Sequence, residues 1–96
     1  MKPIAIRKVG RAWEVWMDLP AAYRYAPRRA HRKLERYGDT GELAVARGGS
    51  GGGLALSASS PPHRFTKKDD ARHAAHQIGR YLLDLGDFVS TYVEGY

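Results

Sequence analysis

Between residues 13 and 19 every second position holds a large apolar side chain: Trp13, Val15, Met17 and Leu19, separated by Glu14, Trp16 and Asp18. Only an extended strand turns alternate side chains to one face, so this stretch demands a sheet with one buried side. Pro20 is expected to end the strand, because proline cannot donate to a ladder. Ile4 and Ile6 alternate with Ala5 and Arg7 in the same way, and Gly10 supplies the positive φ that a tight hairpin turn needs. A strand hairpin therefore opens the chain.

Helical spacing takes over further on. Pro27 fits the first turn of a helix, where its missing N–H is not needed. Ala30, Leu34 and Tyr37 follow at i, i+4 and i+7, and Gly38 is placed to cap the end. Leu43–Arg47 and Leu54–Ser57 read as two short strands joined by Gly48-Gly49-Ser50-Gly51-Gly52-Gly53, flexible by composition. The glycine run is either a hairpin loop or a linker in place of something longer. It lacks the spacing and the lysine of a phosphate-binding loop.

The strongest helix signal starts after Phe65. Thr66 is the expected N-cap, Asp69 and Asp70 occupy the first turn, and Ala71, Ala75, Ile78, Leu82 and Leu85 recur at i, i+4, i+7, i+11 and i+14. Ala74 and Tyr81 widen that face, and Gly86 ends it. A last helix is expected from Asp87, with Val89, Tyr92, Val93 and Tyr96 on one face; their β-branched content leaves a strand as the alternative. This order predicts an α+β fold. It consists of a small antiparallel sheet of three to four strands, a long helix of the C-terminal half packed on one face, and a shorter basic helix. Residues 1–96 read as a single domain.

The basic helix carries most of the charge. Arg24, Arg28, Arg29, Arg32, Lys33 and Arg36 stand against Glu35 alone, a local excess of five in a chain of net charge +6. Arg28, Arg32 and Arg36 share one helical face, and like charges at i, i+4 repel. Cations repeated without acids point to an external polyanion, since arginine binds phosphate bidentately and stacks on bases. Tyr23, Tyr25 and Tyr37 lie close by in sequence for stacking. Lys67 and Lys68, near Arg64 at the start of the long helix, form a second expected anchor. The end of the chain is the reverse, with Asp84, Asp87 and Glu94 and no Lys or Arg after Arg80.

Catalytic and metal chemistry find little support. With no cysteine, thiol catalysis and zinc–thiolate sites are excluded. His73 and His76 are spaced i, i+3 beside Asp69 and Asp70, but no HExxH motif accompanies them, and they read as solvent-facing. Ser57, Ser59, Ser60 and His63 sit on an irregular segment without a nucleophile-elbow pattern. Glu14 and Asp18 are roughly 13 Å apart along one strand face, too far for a glycosidase pair. No enzyme, cofactor or metal is therefore expected. Trp16, on the face opposite Trp13, would mark a contact surface if exposed, and the face of Val89, Tyr92, Val93 and Tyr96 would mark the seam of a possible homodimer.

Residues Phe65–Ala75, with a lysine pair, one alanine and then an alanine pair, resemble two elements: the final helix of double-stranded-RNA-binding domains, and the strand-to-helix segment of the three-strand-plus-helix DNA-binding domains of phage integrases. The likeness covers eleven residues. Its features are those of any helix docked on a sheet, so it assigns no family.

The expectation is a small nucleic-acid-binding protein that contacts DNA or RNA phosphates through its arginine-rich helix. The alternative is a small phage- or plasmid-type regulator or inhibitor that plugs an acidic or nucleic-acid-binding surface of a host protein. No apolar run approaches the length needed to cross a membrane, and residues 1–8 lack the apolar core of a signal peptide. With the absence of cysteine, this favours a cytoplasmic location.

Overall fold

The computed structural model describes residues 3–38, 41–47 and 53–83, and the backbone of 92–95. Strands β1 (Ile4–Val9) and β2 (Ala12–Asp18) form the opening hairpin, turned at Gly10 with φ 62°. Helices α1 (Leu19–Tyr25) and α2 (Arg28–Leu34) follow, α2 running into a 3-10 turn at Glu35–Tyr37. Next come β3 (Glu42–Arg47), β4 (Leu54–Ser57), α3 (Lys68–Gln77) with a π-helical turn at Ile78–Leu82, and β5 (Tyr92–Gly95). The sheet order is β4-β3-β2-β1-β5. The first four strands are antiparallel and β5 runs parallel to β1. The expected α+β layout is therefore present, extended by a fifth strand.

The alternation of β1 and β2 sets the core. Ile4 lies opposite Met17, and Ile6 opposite Val15, on the face that receives the helices. Both pairs are fully buried together with Leu34, Leu43, Ala71, Ala75 and Leu83. Each large side chain withdrawn from water in this way contributes about 1.5–3 kcal/mol.

Several local expectations are corrected. Pro20 does not simply end a strand: Asp18 caps a new helix, its carboxylate accepting from the Ala21 N–H at 3.3 Å, and Pro20 sits in the first turn of α1. Leu19 keeps the alternation of the strand, but its buried side chain belongs to that helix. Lys67, rather than Thr66, is the N-cap of α3, with no side-chain cap bond. Tyr92–Gly95 is a strand, not part of a helix, because the edge of β1 offers its backbone a parallel ladder. A helical dimer seam through Tyr92 and Val93 is therefore ruled out. Leu85, Gly86, Asp87, Val89 and Tyr96 lie outside the described residues, as do 48–52 of the glycine run.

The stripe on α3 also changes phase. The N–H of Leu83 donates to the Ile78 carbonyl at 3.0 Å, an i to i−5 bond that inserts one extra residue. Burial then falls on Ala71, Ala75, Gly79 and Leu83, four residues apart, while Ile78 and Leu82 are only half-buried. Tyr81, expected to widen the core face, is 62% exposed.

The chain entering α3 is built into the sheet. Trp13 and Phe65 exchange backbone hydrogen bonds of 2.9 and 2.8 Å, and the His63 N–H donates to the Val45 carbonyl at 2.9 Å. Residues 63–65 thus wedge between the first half of β2 and the second half of β3, where those strands diverge. Phe65 is buried from this wedge, and the His63 ring meets it edge-on at 4.6 Å.

Candidate functional site

Helix α2 owes its placement to the break before it. Ala26 precedes Pro27 and is forced into extended backbone, φ −77° and ψ 145°, which ends α1. His31 spans the break. Its Nε2 lies 3.0 Å from the Tyr23 carbonyl and 3.2 Å from that of Ala26. Carbonyls only accept, so Nε2 carries the hydrogen and satisfies the C-terminal end of α1. The imidazole also packs edge-on against Tyr23 at 5.1 Å. Replacing His31 with Ala should lower stability by about 1–2 kcal/mol, because half-buried carbonyls lose their donor. Urea unfolding checks this, and an unchanged midpoint would contradict it.

Ala30 and Leu34 bury the inner side of α2. Arg28, Arg29, Arg32 and Arg36 are exposed and centre on the opposite side; Lys33 is exposed on one flank. The 3-10 turn carries Arg36 about 40° further round than a continuous α-helix would. Arg24 projects from the last turn of α1, and Tyr25, 45% exposed, stands between it and α2. Among the described residues Arg24, Arg28, Arg32 and Arg36 form no ion pair, and neither Glu35 nor Glu42 clasps them. Glu42 is held by Arg7 at 3.0 Å instead. Lys33 donates to the Tyr81 carbonyl at 3.0 Å and so ties α2 to the far end of α3.

That contact separates the two basic segments. Lys68 opens α3, and Tyr81 lies thirteen residues on, about 18 Å along the helix axis. Lys67 is exposed and Lys68 is half-buried with interactions of its own. The structure therefore turns Arg28, Arg29, Arg32 and Arg36 outward from α2, with Arg24 exposed on the last turn of α1, and leaves Lys67 and Lys68 at the other end of α3. The tyrosines also divide. Tyr25 is open, whereas Tyr23 and Tyr37 are half-buried.

The sheet face away from the helices offers a contrast. Trp16 stands there between Ala5 and Ala44, its cross-strand neighbours. The Arg7 guanidinium lies over its ring at 5.1 Å and ends on Glu42. The Trp16 Nε1–H donates to Glu14 at 3.0 Å, and Arg64 meets the same buried carboxylate at 3.6 Å. Arg7 and Arg64 thus balance Glu42 and Glu14, and Asp18, the third acid of this face, caps α1, so the face offers no excess of cations to a polyanion. These partnerships were invisible in the sequence because Glu14 and Arg64 are fifty residues apart.

Among the described residues no three histidines or acids gather around a point, and no helix is long and apolar enough to cross a membrane. His73 contacts Gln77 at 3.3 Å. No protein-family model, curated protein or solved structure matches the chain, and the short likeness of residues 65–75 gains no support from them.

Proposed function

We propose that the protein binds nucleic acid through the arginine ridge of α1 and α2. The observation that carries this reading is the absence of any ion pair at Arg24, Arg28, Arg32 and Arg36 among the described residues, while Glu14 and Glu42, on the sheet face away from the helices, are engaged by other arginines. Clustered cations raise each other's electrostatic energy, and an external row of phosphates relieves it. From Arg28 to Arg36 the ridge runs about 12 Å, enough to meet successive phosphates of one strand. Arginine guanidinium groups grip these bidentately. Tyr25, exposed beside them, offers a stacking surface for an unpaired base.

The test is fluorescence anisotropy with a labelled duplex of about two helical turns at low salt, repeated with the single strand. Binding is expected in the micromolar range or tighter, without strong sequence preference. No change up to about 0.1 mM protein would refute the reading. A lysate partner retained after exhaustive nuclease treatment, with no binding to either probe, would instead assign the ridge to an acidic protein surface and the protein to the regulators.

A further inference from the structure

We propose that the outer edge of β4 is a self-association surface, at which two copies pair their β4 strands antiparallel about a twofold axis through Ala55. β4 ends the sheet order, so one side of its backbone has no strand partner among the described residues. Its sequence, Leu54-Ala55-Leu56-Ser57, holds no charge and no proline, two of the usual guards of an exposed edge. Beside it a groove of about 620 Å³ opens between β4 and α3, lined by Leu54, Leu56, Ile78, Tyr81 and Leu82 among others. Leu54 and Tyr81, 45% and 62% exposed, are two of the three most exposed large apolar side chains among the described residues.

The occupant follows from charge and register. Among the described residues no Lys or Arg lines the groove, so a polyanion finds no counter-charge there. Two cationic copies repel least at an uncharged edge. The backbone directions fix how they fit. Gly41 and Val45 turn their carbonyls away from β4, to Leu19 and His63, so Ala44 and Ala46 face β4. Their partners Ser57 and Ala55 are therefore directed inward, and Leu54 and Leu56 turn their N–H and C=O groups to the free edge. A twofold axis normal to the sheet keeps the helices of both copies on the same side, and residues directly opposite share a face. Leu54 then meets Leu56 of the second copy in a hydrogen-bonded pair, twice over, and every outward group of the two leucines is satisfied. Ala55 faces its own symmetry mate in a non-hydrogen-bonded pair, with Cα atoms about 4.5 Å apart. The leucines and Tyr81 of both copies close over the joined grooves.

The chain has no cysteine, which makes the register testable. Ala55→Cys is expected to form an intermolecular disulfide under mild oxidation, since the Cα separation suits one. Ser57→Cys, about 13 Å from its symmetry mate, should cross-link at least tenfold more slowly. Sedimentation without nucleic acid should show wild-type mass rising to that of a dimer with concentration. Leu54→Lys, at an exposed position, should remain monomeric with unchanged circular dichroism. A wild-type protein that stays monomeric at every concentration overturns the proposal and leaves the edge to a strand of another protein. A dimer that survives Leu54→Lys, or that cross-links equally at 55 and 57, overturns it by placing the interface elsewhere.

Discussion

Phe65→Ala is expected to lower the free energy of unfolding by about 3–4 kcal/mol. The ring is 7% exposed and fills the interior opposite Trp13, with His63 against its face. Its loss leaves a cavity at the point where β2 and β3 have already parted and only residues 63–65 close the gap. The backbone bonds from Trp13 to Phe65 and from His63 to Val45 then lack a side chain holding the wedge in place. For a domain whose whole stability is on the order of 5–10 kcal/mol, such a loss approaches unfolding at ambient temperature. Phe65→Leu keeps most of the volume and should cost only about 1 kcal/mol. Urea titrations of both variants decide it. Equal losses for Ala and Leu would mean that the ring is not what fills the gap.

The joint substitution of Arg28, Arg32 and Arg36 by Ala is expected to weaken nucleic-acid binding at least a hundredfold at low salt. About 1 kcal/mol per lost charged contact is enough for that. Stability should be unchanged or slightly higher. The three side chains are exposed, form no ion pair among the described residues, and repel one another. Alanine is also the better helix former. Lys67→Ala with Lys68→Ala should weaken binding far less, because those residues lie at the other end of α3. If the lysine pair proves the more damaging, the binding surface is at the start of α3 and not on the ridge.

Elements whose signal is local were legible from the residues alone. The alternation of residues 13–17 and the spacing of Ala30 and Leu34 identified β2, α2 and their buried faces, because each pattern matches a backbone period. Features that depend on a distant partner were not. The alternation carried through Leu19 concealed the start of α1; the signal that marks it is Asp18 followed closely by proline, a cap and a first-turn residue. Phe65 looked like the lead into a helix, and nothing local shows that it pairs with Trp13. Residues 92–95 are ambiguous until the free edge of β1 is known. The π turn shifted burial from Leu82 to Leu83, which only the docking of α3 on the sheet determines. At the candidate site the cations were readable, but their grouping was not. Linear spacing cannot show that Lys33 reaches Tyr81 and thereby sets Lys67 and Lys68 apart from the ridge.

The dependence of the binding constant on salt tests the ridge most directly, because each phosphate neutralised releases condensed counterion. With Arg24, Arg28, Arg32 and Arg36 each on a phosphate of a duplex, log K should fall against log salt with a slope of about −3.6. The variant lacking Arg28, Arg32 and Arg36 should fall with a slope of about −0.9. Equal slopes for the two proteins, or a wild-type affinity that ignores salt, would show that these arginines do not meet the phosphates.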